Sequence, residues 1–326
     1  MSMYSKGDFV VRCYIKTGNR LEVIKNLELL QESKQQSNVI WIDMLRPTRK
    51  EVVAIEEMFD IEFPTKQESE EIEISSRYWE EDKRVEINSY FLITNDPNPY
   101  NETVSFILQG KILFSIRYKE LSSFDKFNKQ LISSPKEFKD GFDIFCQIID
   151  IRIDADADAI ENLSKEIAKL RRHVFSDYTN DDEEILEKIS AFEDLNMKIR
   201  ENLTDKQRIL TSLLKSTVYR SATDDIIIML KDIKSLIEHT DFNFERLDYL
   251  QNIFVGMLNI EQNKTVKIFT LVNVIFLPPT LIASIYGMNF QFMPELSWKY
   301  GYAVAAILMV LSSITPLYIF KKKGWM

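Results

Sequence analysis

Two long apolar stretches lie in the last quarter of the chain, at residues 266–286 and 301–320. Each has about the ~20 residues that a helix needs to cross the hydrocarbon core of a bilayer. Lys267 is the one charged residue in the two stretches. The link between them, residues 287–300, is too short to form a domain. The pattern therefore predicts two transmembrane helices joined by a short loop.

The first apolar stretch carries a line of polar side chains along one helix face, at alternating steps of three and four residues. This line, the polar stripe, consists of Asn263, Val266, Thr270, Asn273, Leu277, Thr280 and Ser284. Five of the seven are polar, and an unpaired polar group that faces lipid costs free energy. The stripe therefore faces either another helix or water. Because Ser and Thr commonly join membrane helices, the pattern alone leaves helix packing and pore lining open.

The residues before these stretches have the pattern of a soluble domain. β-Branched and aromatic residues predict strands at 9–15, 38–43, 71–75, 85–94, 104–108 and 111–118. Thr48 and Glu51 form a capping box that begins a helix reaching about Phe59. Gln109-Gly110 predicts a tight hairpin between the last two strands. Together these elements indicate an α/β or α+β domain that ends near residue 140.

From residue 141 the pattern becomes helical. Residues 142–175 and 182–219 predict two helices that form an antiparallel hairpin, and a third helix begins near Asp224 without a stop before the membrane. Its apolar residues recur at heptad positions, namely Ile226, Leu230, Ile233, Ile237, Phe244, Leu247, Phe254 and Leu258. If this helix is unbroken to Ile285, it is ~90 Å long at 1.5 Å per residue. A helix of that length extends beyond any single small domain, so we expect it to pack against copies of itself.

Charge predicts the orientation of the chain in the membrane. The net charge is −9, and yet Lys321, Lys322 and Lys323 follow the second apolar stretch directly. Lys264 and Lys267 open the first stretch, whereas the link carries Lys299 against Glu295. By the positive-inside rule both termini face the cytosol and the link faces outward. The start of the chain lacks the basic flank and long apolar run of a secretory signal, so we expect the soluble part to stay in the cytosol.

These elements divide the chain into six predicted segments. They are a cytosolic α/β domain (1–140), a helical hairpin (141–223), a stalk that continues into the first transmembrane helix (224–286), an extracytoplasmic loop (287–300), the second transmembrane helix (301–320) and a basic cytosolic tail (321–326). The segments before residue 263 are acidic, which argues against nucleic-acid binding.

Candidate residues for catalysis are sparse. His173 and His239 are isolated, the eight Gly residues form no phosphate-binding loop, and no nucleophile motif occurs. Cys13 and Cys146 have no metal-ligand spacing, and a disulfide between them is not expected. We therefore expect no enzymatic activity and no bound cofactor. Without a nucleotide site, any transport must run down an electrochemical gradient.

A set of short motifs at the membrane stretches resembles one family. Phe-Leu-Pro-Pro-Thr-Leu stands at residues 276–281, Tyr-Gly-Met-Asn-Phe at 286–290 and Met-Pro-Glu-Leu at 293–296, with Asn263 before them and the lysine-rich tail after them. Together they resemble the CorA magnesium/cobalt transporter family. The resemblance covers about residues 257–326, and upstream only the order of elements agrees. It implies a homopentameric channel in the cell (inner) membrane, with the first helices inside and the second outside. From the pattern alone, two helices cannot enclose a polar channel, so more than one subunit is needed.

The resemblance also implies roles for the loop after the first helix. Gly287, Met288 and Asn289 would form the outer mouth, with the Asn289 side chain facing the axis, and Glu295 lies in the same loop. A ring of neutral carboxamide oxygens suits Mg²⁺, which gives up its water reluctantly. The plain structural alternative is that Gly287 caps the helix in a left-handed conformation.

Deeper positions of the polar stripe are expected to pass the ion along. Asn273, Thr280 and Ser284 offer oxygens, and Asn263 would form a ring at the cytosolic end. Val266 and Leu277, with Phe269 beside them, are interpreted as hydrophobic constrictions that gate by excluding water. For Val266 and Phe269, ordinary helix packing is the alternative. Pro278-Pro279 removes two backbone donors and is expected to bend the helix.

Acidic residues offer candidate regulatory sites. Asp150, Asp154, Asp156, Asp158 and Glu161 lie along the first hairpin helix. In the family, cytosolic Mg²⁺ bound between subunits favours the closed pore, and Asp154, Asp158, Glu161 and Asp232 are candidates for such sites. A solvated acidic face is the alternative for each of them.

The functional hypothesis is a channel that admits Mg²⁺, and also Co²⁺, as the hydrated ion. Two alternatives stay open. One is a transporter of Zn²⁺ or another transition metal from the same superfamily. The other is a membrane-anchored oligomeric scaffold or sensor whose polar stripe only packs helices.

Overall fold

The computed structural model describes residues 10–25, 36–69, 77–81, 84–94, 96, 98–176, 182–216, 218–219, 223–289, 291 and 293–324. The chain forms two compact units, Met1–Leu250 and Gln251–Met326. One helix begins in the first unit and ends in the second.

A seven-stranded mixed sheet forms the centre of the first unit. Its strands are β1 (Val10–Thr17), β2 (Arg20–Ile24), β3 (Val39–Leu45), β4 (Tyr78–Glu81), β5 (Arg84–Ile93), β6 (Tyr100–Gln109) and β7 (Ile112–Arg117). They lie in the order β2-β1-β3-β7-β6-β5-β4. All described neighbours are antiparallel except β3 and β7, which run parallel with Trp41 opposite Leu113 and Leu45 opposite Arg117. The carboxyl ends of β3, β5 and β7 therefore meet at one edge of the sheet.

Helices cover both faces of this sheet. They are α1 (Arg49–Phe59), α2 (Lys66–Ser69), α3 (Ser122–Ser133), α4 (Gly141–Ser176) and α5 (Asp182–Leu214). The first part of α6 (Thr223–Tyr286) packs on α4 and α5. A short 3-10 turn, Gln36–Asn38, precedes β3. On one face Ile42, Met44, Ile55 and Phe114 belong to one buried apolar cluster. Every residue of β3 is buried, as expected for a strand that is covered on both faces.

A buried ion pair joins the two parallel strands. Arg117 donates to both carboxylate oxygens of Asp43, at 2.8 Å from Nη2 and 3.1 Å from Nε. Ser115 donates to Asp43 at 3.0 Å, and Trp41 donates to Ser115 at 3.0 Å. The third nitrogen of Arg117 donates to the carbonyl of Lys119 at 3.1 Å. The pair therefore fixes both the strand pairing and the loop that follows β7.

A second buried polar network holds α4 and α5 to the sheet. The ammonium group of Lys206 donates to the carbonyl of Tyr90 at 2.5 Å and to the side chain of Asn202. Asn202 in turn donates to Asp156 at 2.9 Å, and Arg152 pairs with the same carboxylate. Burial lowers the pKa of Lys206 to about 8. These contacts cross the predicted boundary at residue 140, so the sheet, α4 and α5 belong to one compact unit. The division of the chain into six segments stays a prediction.

The heptad face of α6 is buried within its own chain in the first unit. Ile226, Ile233 and Leu247 are buried. Asn196 on α5 donates to the carbonyl of Thr240 at 2.9 Å, and Ser164 on α4 donates to Asn243 at 2.9 Å. The heptad pattern up to residue 250 therefore reports packing against α4 and α5. The prediction that this helix packs against copies of the chain rests on its length and stays a prediction.

Most predicted strands and helices of the first unit are confirmed. β1, β3, β5, β6 and β7 lie where the pattern placed strands, and Gly110 (φ 60°) makes the hairpin between the last two. The capping box of Thr48 and Glu51 is present. The strand predicted at 71–75 lies outside the described residues. The pattern missed β2, β4, α2 and α3, and it extended the 182–219 helix beyond its end at Leu214.

Two apolar helices make up most of the second unit. They are the remainder of α6 and α7 (Gly301–Lys322), with a 3-10 turn at Pro294–Ser297 between them. Both are long and apolar enough to cross a membrane, by length and composition. Within residues 266–286 of α6 the less exposed positions are Leu271, Val274, Ile275, Pro278, Pro279, Ile282 and Tyr286. Ser313 on α7 donates to the carbonyl of Ile275 at 3.1 Å, which identifies the face around Ile275 as the one packed on α7.

The hydrogen bond from Ser313 replaces a backbone donor that the two prolines of α6 remove. Pro278 and Pro279 have no N–H, so the carbonyls of Val274 and Ile275, four residues earlier, lose their helical donors. In a membrane such groups have no water to bond, and a serine or threonine of a neighbouring helix commonly replaces the donor. Ser313 does so for Ile275, while it also lies 3.3 Å from the Met309 carbonyl of its own helix.

We predict that Ser313→Ala lowers the free energy of unfolding in detergent by about 0.6 kcal/mol, the mean measured for interhelical hydrogen bonds in membranes. The matched control is Ser312→Ala. Ser312 is equally half-buried, but its hydroxyl donates to Met309 in its own helix at 2.8 Å. The control should be near neutral, as measured by denaturant unfolding. Equal losses in the two variants would contradict the role given to Ser313.

Candidate functional site

The polar stripe lies on the face of α6 that points away from α7. All seven of its members are exposed in the single chain. Successive residues of a helix are about 100° apart, so positions such as Asn273 and Thr280 lie more than a quarter turn from Ile275 and Ile282. The polar groups of the stripe are therefore not paired with α7. They are left for a surface that a single chain does not provide.

The threonine hydroxyls of the stripe present acceptors to that surface. Thr270 donates to the carbonyl of Val266 at 2.8 Å, and Thr280 donates to the carbonyl of Phe276 at 2.6 Å. Each hydroxyl hydrogen is thus used inside the helix, and the oxygen lone pairs remain outward. The water shell of a cation is a set of donors, because its oxygens face the ion. Hydroxyl oxygens that face outward can therefore accept hydrogen bonds from the water molecules around a cation.

Apolar side chains interrupt the stripe. Val266 is 55% exposed and Leu277 is 64% exposed, and Phe269 beside them is 64% exposed. Leu277 lies one helical turn, ~6 Å, from Asn273 at 1.5 Å per residue. Polar and apolar levels therefore alternate along α6. The arrangement is that of a path in which hydrophobic levels separate hydrogen-bonding ones.

The helix ends in a tight turn at the Gly-Met-Asn motif. Gly287 donates to the carbonyl of Ala283 at 3.0 Å, and Met288 donates to Ile285 at 3.3 Å. The glycines with positive φ in the described residues are Gly18, Gly110 and Gly324, so the left-handed cap considered for Gly287 is wrong. A Cβ on Gly287 would lie 3.2 Å from the Ala283 carbonyl. A glycine at this position avoids that tight contact between a Cβ atom and the Ala283 carbonyl oxygen.

Asn289 follows this turn directly and is exposed, as is Met288. Their side chains are therefore exposed just beyond the end of α6. Glu295 lies within the Pro294–Ser297 turn, and its side chain is outside the described part of the structure.

The acidic candidates do not form one group. Asp154 and Asp232 lie near Asp150. Burial raises the pKa of Asp150, and the negative charges of these two neighbours raise it further. Glu161, by contrast, is exposed and pairs with Lys165 at 2.6 Å. Asp158 lines a separate cavity between the sheet, α4 and α5. Asp156, counted in the acidic stripe, is fully buried.

The carboxylates around Asp150 come from two helices. Asp225, in the first turn of α6, is a third neighbouring carboxylate whose charge raises the pKa of Asp150. Even so, no three acidic, His or Cys side chains among the described residues are arranged to hold a metal ion. Sequence reasoning did not connect Asp225 with Asp150, because no spacing rule links the start of α6 to α4.

Comparison with known proteins identifies the family. The family model described as "CorA-like Mg2+ transporter protein" matches residues 36–322. The magnesium transport protein CorA of Wolinella succinogenes is 47% identical over 303 residues, which span 91% of this chain and 94% of that protein. The protein of that name from Escherichia coli K12 is 34% identical over 300 residues, 91% of this chain and 95% of that protein.

The fold agrees with a solved structure. The complete CorA magnesium transporter from Methanocaldococcus jannaschii superposes with a TM-score of 0.80 at 20% identity, over 97% of this chain and 99% of that one. The resemblance inferred from the motifs around residues 276–296 is thus confirmed, and the mixed sheet with long helices and two apolar helices is confirmed as the fold. Family membership and the two apolar helices make this a membrane protein. The chain belongs to the CorA-like Mg²⁺ transporter family.

Proposed function

We propose that the chain forms a homo-oligomeric channel that carries hydrated Mg²⁺, and also Co²⁺, across the cell (inner) membrane into the cytosol. The observation that carries this proposal is the position of the polar stripe. It is exposed on the face of α6 opposite α7, with the hydrogens of its threonine hydroxyls used inside the helix. The names of the relatives, which are magnesium transport proteins, support the choice of ion.

The exposed polar stripe of α6 is also the reason to propose that several copies of the chain assemble. Two helices per chain cannot enclose a water-filled path, and the stripe would cost free energy against lipid. Several copies that turn their stripes inward remove both difficulties. The family resemblance gives five copies, with α6 inside and α7 outside. Both termini are then cytosolic, in agreement with the lysines at 321–323.

Selection of the ion is assigned to the mouth formed by Gly287, Met288 and Asn289. Mg²⁺ dehydrates reluctantly, so a site that strips its water would be slow. A ring of Asn289 carboxamide oxygens accepts hydrogen bonds from the first water shell instead. The ring is neutral, so it does not trap the ion. A membrane potential of 100 mV supplies about 4.6 kcal/mol for a divalent ion, twice the value for one charge, which drives uptake without a cofactor.

The donor chemistry weighs against the first alternative, a Zn²⁺ or other transition-metal transporter. Softer metals favour imidazole and thiolate ligands, whereas Mg²⁺ favours oxygen. The stripe and Asn289 offer amide and hydroxyl oxygens, and neither His nor Cys lies in residues 263–296. The one soft donor of the Gly-Met-Asn motif is the thioether of Met288. The second alternative, a scaffold without transport, predicts no ion flux.

We predict that Asn289→Ala lowers Mg²⁺ uptake into proteoliposomes at least about tenfold, since a hydrogen bond involving a charged partner contributes about 1.5–3 kcal/mol. Cobalt(III) hexaammine, which has the size of hydrated Mg²⁺ and does not exchange its ligands, should block the wild type and lose its effect on the variant. Gln291→Ala, which removes another exposed carboxamide of the loop, is the control and should transport normally. The oligomer should stay intact in both.

Normal uptake by Asn289→Ala would refute the filter assignment. Flux of Mg²⁺ in the wild type without block by hexaammine would contradict recognition of the hydrated ion. No flux of Mg²⁺, Co²⁺ or Zn²⁺ would leave the scaffold as the function.

Cytosolic Mg²⁺ is proposed to close this channel through the carboxylates around Asp150. Asp154 and Asp232 lie near it, and within one chain the set is incomplete, so a neighbouring subunit is required to complete an oxygen shell. Mutual repulsion of these carboxylates, relieved by a divalent cation, supplies the coupling between binding and assembly. Asp158 and Glu161 are not included, because Asp158 lines another cavity and Glu161 pairs with Lys165.

We predict that Asp150→Asn combined with Asp232→Asn raises the internal Mg²⁺ concentration needed to inhibit uptake by about tenfold or more, which corresponds to ~1.4 kcal/mol of lost binding. Uptake at low internal Mg²⁺ should be unchanged. Glu161→Gln, which removes an exposed carboxylate of the same helix, is the matched control. Its uptake should be inhibited at the same internal Mg²⁺ concentration as that of the wild type. Unchanged inhibition in the double variant would exclude these residues as the sensor.

A further inference from the structure

A cavity of about 630 Å³ lies in the first unit, at the edge of the sheet where β3, β5 and β7 end. Arg46, which follows β3, and Leu92, near the end of β5, line it, together with the start of α3 and one side of α4. The volume is in the range of sites for small organic ligands. The ion path assigned above does not use this cavity.

The position is one where open sheets bind ligands. In sheets with parallel strands, ligands lie outside the carboxyl ends of those strands, and β3 and β7 are the parallel pair of this sheet. Arg46 stands directly after β3 with a φ of 52°, a conformation uncommon for a residue other than glycine. Its N–H donates to the Arg117 carbonyl and its Nε to the Tyr118 carbonyl, each at 2.9 Å. Its guanidinium is thereby fixed at the cavity.

The amino end of α3 also opens into the cavity. Leu121, Ser122 and Ser123 line it. Leu121 is the N-cap residue of this 12-residue helix, and no side-chain cap hydrogen bond is present. The first N–H groups of a helix have no partner within the helix. They carry the positive end of the helix dipole, which favours an anion.

Two buried donors that line the cavity lack partners. Ser123 is 2% exposed and Arg152 is 5% exposed. Within the described part of the chain, neither the Ser123 hydroxyl nor Nε of Arg152 has a hydrogen-bond partner. The other nitrogens of Arg152 are engaged with the Leu92 carbonyl and with Asp156. Buried polar groups are normally paired, so both donors point to an acceptor that the protein itself does not supply.

The remaining lining limits the kind of ligand. Leu163, Phe192 and Leu195 form an apolar wall, and Tyr100 adds a ring. The rim carries four exposed carboxylates, those of Asp96, Glu120, Asp158 and Glu166. They oppose a highly charged anion, whereas Arg46, Lys119 and Arg152 attract a modest one. A single phosphate on an organic body satisfies both conditions.

We propose that this cavity binds a phosphomonoester of a small organic molecule, with the phosphate at the amino end of α3 and the organic part along the apolar wall. The phosphate oxygens accept hydrogen bonds from Ser123, from Nε of Arg152 and from the first N–H groups of α3. Charge-assisted bonds of this kind are the strong ones. The site gives the cytosolic part of the protein a small-molecule ligand other than a metal ion.

The test is calorimetric titration of the full-length protein in detergent with AMP, adenosine and inorganic phosphate as probes. AMP should bind with a Kd below ~1 mM. Adenosine and inorganic phosphate should each bind about tenfold more weakly or worse, since each lacks one half of the recognised chemistry. Phosphate binding as tight as AMP would overturn the organic part of the proposal. Absence of AMP binding at 10 mM, ~10-fold above that limit, would overturn the site.

Substitutions at the two ends of α3 test where AMP binds. Ser123→Ala should weaken AMP about tenfold, because it removes one charge-assisted donor. Ser123→Asp should abolish binding while the helix stays folded, because a carboxylate in the first turn complements the helix dipole and occupies the place of the phosphate. Ser133→Ala, at the other end of α3, where the hydroxyl donates to the Gln130 carbonyl at 2.9 Å, is the control. AMP binding that survives Ser123→Asp unchanged would overturn the assignment. Mg²⁺ uptake is not the readout, so the result is independent of the channel proposal.

Discussion

Every polar group inside a bilayer must find a partner in the protein or in enclosed water, and α6 breaks this condition twice. Pro278 and Pro279 remove two backbone donors, and the polar stripe presents side-chain oxygens on the opposite side. Half of the first deficit is met within the chain, where Ser313 of α7 donates to the Ile275 carbonyl. The second is not, because the stripe is exposed. The two sides of α6 therefore differ. α7 packs on one side, and we propose that a shared water-filled axis lies on the other.

The first unit also contains both groups that pack within the chain and groups that are left for other partners. The heptad face of α6 is satisfied by α4 and α5, through apolar packing and the bonds to Thr240 and Asn243. The carboxylate of Asp150 accepts a hydrogen bond from Gln147 at 3.3 Å. Burial and the charges of Asp154, Asp232 and Asp225 nevertheless raise its pKa. Groups with partners hold the fold, and we propose that Asn289, the carboxylates around Asp150 and the cavity at Ser123 bind ions or ligands.

Periodicity and local motifs predicted what depends on neighbours in sequence. The two apolar helices, the capping box at Thr48, the hairpin at Gly110 and the Gly-Met-Asn motif needed no tertiary information. What depended on distant partners was missed or misassigned. The heptad of α6 marked an apolar face, but a pattern cannot say that α4 and α5 cover this face up to residue 250. Asp156 was counted with exposed acids, although Arg152 and Lys206 bury it. The bond from Ser313 was invisible, since 34 residues of chain separate Ser313 from Pro279.

The central claim, that the polar stripe faces water and the Ile275 face does not, is tested most directly by thiol accessibility in membranes. Cys13 and Cys146 are buried, so single cysteines on α6 can be followed against a low background. Asn273→Cys, Thr280→Cys and Ser284→Cys should react with a membrane-impermeant thiol reagent, and cobalt(III) hexaammine should slow the reaction. Ile275→Cys and Ile282→Cys should not react. Equal reaction on the two faces, or reaction of the Ile275 face alone, would contradict a water-filled path along the stripe.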